Sequence, residues 1–374
     1  ISATLRLPRA LQILAGLSAA LLPLNQVLHG VGRIDHHYME YTFVLLTLLA
    51  GLRWLADPGS RARAALLGLA LGVAPGFHNA MFVLQIPVLI TLFILWARRE
   101  GPPAGSTRCM AGFLMLGSLL VVLPSQPFLR GEFAYYLLSV FHLYIAACTS
   151  VLAILMSHSS FSARRLGVIV IAALAMLLPI LGQVHLASDF FSHRVARLAI
   201  INEARSMLTM AAERGGLSEI GGRYSYLVFA VPLVLAGLMI WLYRTRDAIE
   251  TFFIVFSLFG LTLMIQQFRL HYFGSFGLYL PILAGAGILL RRFERSRNLI
   301  LIATVAIFAA AFYKPVHERL FEKFRAGLDS HYQVVSGLMP ALAELCREDP
   351  GIVFAWNDVG HYVRFHTECS VIAN

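Results

Sequence analysis

Residues 79–97 read NAMFVLQIPVLITLFILWA, and Arg98 and Arg99 follow at once. The stretch carries no formal charge. At about 1.5 Å per helical residue it is long enough to cross a hydrocarbon core of roughly 30 Å. A soluble helix of that length would show a polar face, and this one shows none.

Stretches of the same kind recur along the chain, near 10–29, 38–56, 62–77, 79–97, 110–129, 133–157, 164–184, 225–243, 250–267, 271–291 and 298–313. The third is short and is closed by Pro75-Gly76. The 374 residues are 58% hydrophobic and 13% charged, with mean hydropathy +0.73. A soluble domain carries about 25% charged residues, so a soluble globular protein is excluded. The fold expected is an all-α polytopic transmembrane bundle, with eleven spans over 1–313 and a long outer loop at 185–224. A polar tail from Lys314 to Asn374 opens a soluble α/β domain.

The arginines orient this set. Arg6, Arg9, Arg53, Arg61, Arg63, Arg98, Arg99, Arg108, Arg164, Arg165, Arg244, Arg246, Arg291, Arg292, Arg295 and Arg297 all fall on alternate connections. The opposite short connections hold Arg33, Arg130 and Arg269 alone. The positive-inside rule places the first group in the cytoplasm, and with it the long loop and the tail on the outer side. The net charge of +10 is thus topological, and no nucleic-acid partner is expected.

Four groups at outer positions carry candidate chemistry. Gly32-Arg33-Ile34-Asp35-His36-His37-Tyr38-Met39-Glu40 joins the first two segments. Asp35 and His37, two residues apart, could ligate one divalent cation, or Asp35 could simply cap the next helix. Glu203 stands in an apolar run of the long loop, where a carboxylate needs a ligand or an ion-pair partner; Arg205 and Arg197 are the nearby candidates. Arg269, in Gln266-Gln267-Phe268-Arg269-Leu270-His271-Tyr272, could hold a phosphate bidentately or snorkel to headgroups. In the tail, Trp356-Asn357-Asp358 before Gly360 could form a polar pocket on a turn, or be an ordinary turn after a strand at 351–355. Cys346 and Cys369 could pair, and none of the four cysteines forms a C-x-x-C motif.

At these residues the sequence resembles the catalytic subunit of oligosaccharyltransferases, especially the single-subunit bacterial and archaeal enzymes. Asp35-His36-His37 is similar to the family's Asp-x-Asp or Asp-x-His motif of the second outer loop. Ile200-Ile201-Asn202-Glu203 is similar to its Ser/Thr-x-x-Glu motif, with Ile200 in place of the hydroxyl residue. Trp356-Asn357-Asp358-Val359-Gly360 is similar to its Trp-Trp-Asp-Tyr-Gly, departing at two positions. That family has thirteen spans and a C-terminal soluble domain. By this resemblance the chain, which begins at Ile1 and shows no signal peptide, is a piece of a longer protein. Two spans and the family's first catalytic aspartate would precede it.

The resemblance implies roles. Asp35, His37 and Glu203 would bind Mg²⁺ or Mn²⁺, with Asp35 and Glu203 counted as catalytic, and Arg269 would contact the lipid pyrophosphate. Trp356, Asn357 and Asp358 would receive the acceptor. The reaction implied is transfer of a glycan from a polyprenyl-pyrophosphate carrier in the membrane to asparagine of an acceptor polypeptide. It would occur on the outer face of a prokaryotic plasma membrane. Two alternatives stand beside it: a polyprenyl-dependent transferase acting on another residue or on a lipid, and a transporter or flippase of lipid-linked sugar. Transporters place ionisable groups at the midplane, whereas the acidic groups here gather at the outer interface.

Overall fold

The computed structural model describes residues 1–23, 25, 37–158, 160–183, 206–214, 216–317, 330–355 and 357–373. Each of the eleven apolar segments overlaps a helix: α1 (Arg9–Leu21), α2 (His37–Ala56), α3 (Arg61–Val73), α4 (Gln85–Ala97), α5 (Ala104–Val122), α6 (Val140–Ser157), α7 (Ala163–Leu177), α8 (Val231–Thr245), α9 (Ala248–Gln266), α10 (Leu280–Arg292) and α11 (Arg297–His317). Among the described residues, eight helical stretches are long and apolar enough to cross a membrane, several of them extended by 3₁₀ turns. Helices α1 and α8 fall short of that length, and α3 has 13 residues.

Capping residues set several boundaries, and two of them differ from expectation. The segment expected at 110–129 begins at Ala104. The Ser106 and Thr107 hydroxyls donate to the Pro58 carbonyl at 2.6 Å and the Pro103 carbonyl at 3.2 Å, so these polar residues enter the helix with their hydroxyls satisfied. It stops at Val122 before Pro124, whose missing amide cannot continue the ladder, and Ser125 caps a separate short turn. The segment expected at 133–157 starts at Val140, because Ser139 forms a capping box with His142. Ser60, Ser162 and Asp247 cap α3, α7 and α9.

The connections sort into two ends. At one end the Arg291 guanidinium donates to the Arg6 carbonyl at 3.3 Å, Arg98 to the Thr251 hydroxyl at 3.2 Å, and Arg63 to the Arg53 carbonyl at 3.2 Å. All of these belong to the arginine-rich connections. At the other end Glu40 meets His78, and the Tyr135 amide donates to the Gln183 side chain at 3.0 Å. No contact mixes the two groups among those just described.

The tightest packing is α3 on α5. Ala64, Gly68 and Gly72 recur every four residues on one face of α3, the small-residue spacing that lets helix backbones touch in lipid. A Cβ at Gly68 would lie 2.1 Å from the Met110 carbonyl oxygen, and one at Gly72 would lie 2.4 Å from that of Leu114. By contrast, α7 and α11 turn mostly outward, with few of their residues buried, whereas most of 268–292 is buried. Their exposed Ile171, Leu174, Leu299 and Ile302 are the surface that acyl chains would cover.

The chain divides into two compact units, Ile1–Phe312 and Tyr313–Asn374. In the second, α12 (Ser330–Glu348) precedes β1 (Ile352–Ala355), α13 (Asn357–His366) and β2 (Ser370–Ala373). The two strands are parallel, with Ile352 opposite Ser370 and Ala355 opposite Ala373, so β1-α13-β2 is a crossover unit. A disulfide joins Cys346 to Cys369, the pairing left open by sequence. It ties the end of α12 to the start of β2 across a separation of 23 residues. Closing a loop of that size stabilises by about 3 kcal/mol. Cys346→Ser is therefore expected to expose the 352–373 segment to limited proteolysis at a temperature where the oxidised full-length protein resists it.

Candidate functional site

The helix that follows Asp35-His36-His37 begins at His37, and its first turn contains Glu40. Glu40 is fully buried, at 0% exposure. A carboxylate removed from water in an apolar bundle must be paired, and its Oε1 lies 3.0 Å from His78 Nδ1. His78 sits at a break. The chain leaves α3 through the 3₁₀ turn Ala74–Gly76 and enters a second one at Asn79–Leu84, with His78 extended between them at φ −153°. This break is held from behind, since His142 Nε2 lies 3.0 Å from the Asn79 carbonyl oxygen while its Nδ1 accepts from the Ser139 amide.

The second arm is the turn between α9 and α10. It runs through the 3₁₀ turn Phe268–Leu270 and the short helix His271–Gly274. Close approach shapes it: a Cβ at Gly260 would lie 2.0 Å from the Phe273 carbonyl oxygen, so only glycine admits this turn against α9. Tyr272 is fully buried, and its ring stands edge-on to His78 with centroids 6.4 Å apart. Gln267 is also at 0% exposure, and neither end of its amide finds a hydrogen-bond partner among the described residues. The Tyr41 and Tyr279 hydroxyls, on α2 and just before α10, are 3.2 Å apart.

The third arm is the end of the long loop. Its helix Leu217–Tyr224 packs on Phe268, with the Arg223 guanidinium 5.6 Å from the ring centroid and the Tyr224 ring edge-on at 5.9 Å. Glu219 pairs with Arg223 and steers it. The loop therefore re-enters the bundle beside Arg269.

The sequence-derived candidates are placed as follows. Asp35, Glu203 and Trp356 lie outside the described residues. Of His37, Asn357 and Asp358 the backbone alone is described. Arg269 is partly exposed and directly follows Phe268, on which the helix Leu217–Tyr224 packs. Asn357 and Asp358 open helix α13, so the expected turn before Gly360 is a first helical turn. Acidic and amide side chains favour that position through the unpaired amides and the helix dipole. Among the described residues no three His, Cys, Asp or Glu side chains converge as a metal site. The donors expected from the sequence, Asp35, His37 and Glu203, are two carboxylates and an imidazole, a set that would suit Mn²⁺ or another divalent transition metal.

Sequence reasoning passed over His78 and gave Glu40 no role. The signal was present: Glu40 is the one carboxylate inside the arginine-poor half of any apolar segment, which obliges a partner.

No protein-family model and no curated protein sequence matches the chain. Solved structures do match its fold. The archaeal oligosaccharyltransferase AglB of Archaeoglobus fulgidus, in complex with an inhibitory peptide and a dolichol-phosphate, aligns over 98% of this chain and 50% of its own, with TM-score 0.72 and 16% identity. The same organism's enzyme tethered to an acceptor peptide containing the NVT sequon aligns over 98% and 49%, with TM-score 0.69 and 16% identity. Its complex with Zn and sulfate aligns over 98% and 47%, with TM-score 0.67 and 14% identity. The chain spans about half the length of the structures it matches.

Proposed function

The chain has the fold of an archaeal oligosaccharyltransferase, and on that premise we propose that it is the membrane portion of a glycosyltransferase. It transfers a glycan from a polyprenyl-pyrophosphate carrier to asparagine of an acceptor polypeptide, on the outer face of the membrane. The observation that carries this reading is the meeting of three arms at one rim: the helix after Asp35-His37, the Arg269 turn, and the end of the long loop that holds Glu203.

In this reading eleven spans belong to the chain, and the arginine-poor end faces outward. The Cys346–Cys369 disulfide supports that side, since such bonds persist in oxidising compartments. The dolichol-phosphate in one matched structure and the tethered acceptor peptide in another support the same donor and acceptor classes here.

Each residue then has a task. Arg269 holds the carrier's pyrophosphate oxygens. Asp35, His37 and Glu203 hold Mg²⁺ or Mn²⁺. When bound, that ion supplies charge neutralisation for the departing pyrophosphate. Glu203 also accepts from the acceptor amide and orients it. Trp356, Asn357 and Asp358 receive the acceptor's hydroxyl residue. Asn357 stands where the family motif has tryptophan, which favours a second reading with a different acceptor residue.

The test uses the full-length protein in membranes, with a polyprenyl-pyrophosphate glycan, Mn²⁺ and a fluorescent Asn-x-Thr peptide. Metal-dependent glycosylation that is absent with a Gln peptide is the expected result. Glycan consumption without peptide modification would replace it with the second reading. Arg269→Ala is expected to raise KM for the lipid donor by about 10- to 100-fold, the worth of a charge-assisted phosphate contact of roughly 1.5–3 kcal/mol. Arg269→Lys should recover only part of this, because the bidentate geometry is lost; an unchanged KM in Arg269→Ala would reduce the residue to a headgroup contact.

A further inference from the structure

A cavity of about 510 Å³ opens at the arginine-rich end of the bundle, between the last turns of α2 and the first turns of α3. Its walls are Ala50, Ala56, Ala62 and Leu66, and Arg53 and Arg63 line it as well. We propose that this cavity binds one anionic glycerophospholipid of the adjoining leaflet, with the lipid phosphate on Arg53 and Arg63 and the start of an acyl chain along the alanines and Leu66. The proposal rests on the chain crossing a membrane and is independent of the transfer reaction.

Shape, charge and polarity each point to that ligand. Ala50, Arg53 and Ala56 recur every three residues along α2, and Ala62 and Leu66 lie one turn apart on α3. The three alanine side chains end at Cβ, so the helices leave a hollow that larger residues would fill. Its volume falls within the range of about 300–1,000 Å³ usual for ligand pockets. Arg63 is already engaged. Its guanidinium lies 3.5 Å from Asp57 and donates to the Arg53 carbonyl at 3.2 Å, which holds it beside Arg53. Arg53 itself is exposed, and among the described residues no carboxylate pairs with it. With Asp57 offsetting one of the two guanidinium charges, a single positive charge is left over, the complement of one phosphodiester. A guanidinium can grip such a phosphate through two oxygens. The walls decide between a lipid and a free anion. Leu66 is 43% exposed and faces the region of acyl chains, so a free phosphate would leave the apolar side of the cavity wet, whereas a lipid covers both parts. A zwitterionic lipid brings its own cation toward Arg53 and is disfavoured. Basic pockets between membrane helices at this side take anionic headgroups for the same reasons.

The test uses full-length protein in mild detergent, titrated with phosphatidylglycerol or with phosphatidylcholine of the same acyl chains. Bound lipid is counted by native mass spectrometry in wild type, Arg53→Gln, Ala62→Phe and Arg295→Gln. Arg295 is an exposed arginine of another connection at the same end and does not line the cavity. Wild type is expected to hold one phosphatidylglycerol in preference to phosphatidylcholine. Arg53→Gln should weaken phosphatidylglycerol by about 5-fold, the contribution of one arginine near a lipid surface, and leave phosphatidylcholine unchanged. Ala62→Phe should remove the bound lipid by filling the hollow with every charge in place, and Arg295→Gln should match wild type. Equal affinity of wild type for the two lipids overturns the proposal, and so does an equal loss in Arg53→Gln and Arg295→Gln, which would reduce the arginines to general surface charge. Displacement of phosphatidylglycerol by inorganic phosphate overturns it too, since the cavity would then be a site for a soluble anion. Wild type that retains no lipid at all overturns it in favour of another part of the full-length chain filling the cavity. If Ala62→Phe does not stay monodisperse, Arg53→Gln decides alone, because its guanidinium makes no hydrogen bond or ion pair among the described residues on which folding could depend.

Discussion

Asp35→Ala, and separately Glu203→Ala, is expected to lower metal-dependent glycan transfer by roughly 10³-fold in the full-length protein, a loss typical of deleting a main electrostatic stabiliser of a transition state. The departing pyrophosphate accumulates negative charge as the glycosidic bond breaks. In the proposed site a cation held by Asp35, His37 and Glu203 would supply stabilisation of that charge. Under the proposed roles, removing one carboxylate would both weaken the ion's binding and leave its charge less well placed. Peptide glycosylation is measured across a Mn²⁺ titration, with the Asn-x-Thr and Gln-x-Thr peptides run in parallel. Partial recovery at high Mn²⁺ would locate the loss in binding, and activity within tenfold of wild type in both variants would remove these residues from the mechanism.

Gly68→Leu is expected to be the most damaging change outside the site, costing about 4 kcal/mol or more, at the upper end for a single substitution. The Cβ alone would stand 2.1 Å from the Met110 carbonyl oxygen and 2.9 Å from the Leu114 amide nitrogen. Both are backbone atoms and cannot rotate away, so α3 and α5 must separate. Their separation would loosen α3 from α2, whose partner His78 hangs from the far end of α3. The control is Gly112→Ala on α5, where a Cβ meets nothing within 4 Å and the better helix propensity of alanine is free to act. Thermal unfolding in detergent, read as the fraction that stays monodisperse, should place Gly68→Leu far below wild type and Gly112→Ala at or above it. Equal stabilities would mean that the small-residue face of α3 does not set the helix spacing.

The helical bundle was legible in the sequence because lipid solvation is a local demand. A run such as 79–97 must be helical in hydrocarbon, where each backbone polar group needs a partner within its own segment. The arginine alternation was legible for a similar reason. Charge near a span end acts on that span, and the structure gathers Arg6 with Arg291 and Arg98 with Thr251 as alternation requires. Helix ends were read less well. The start of α6 at Val140 depends on a serine capping box, and hydropathy is blind to a cap.

The candidate site divides along the same line. Asp35-His37 and Arg269 stand out in the sequence because a carboxylate with a nearby imidazole, or an arginine on an arginine-poor face, is unusual within a few residues of itself. The disulfide was open, since two cysteines in one polar tail can be close or far, and the β1-α13-β2 crossover brings Cys369 to Cys346. The sequence alone determined that this chain lives in a membrane, in which segments, and where its unusual polar residues fall along them. Only the tertiary structure decided that Glu40 faces His78, that the Tyr272 ring stands edge-on to His78, and that the long loop returns to Phe268, next to Arg269 in the chain. Hydropathy and charge bias are properties of a segment in its solvent. The pairing of a buried carboxylate is a property of two helices in each other's presence, and no window along the chain contains both.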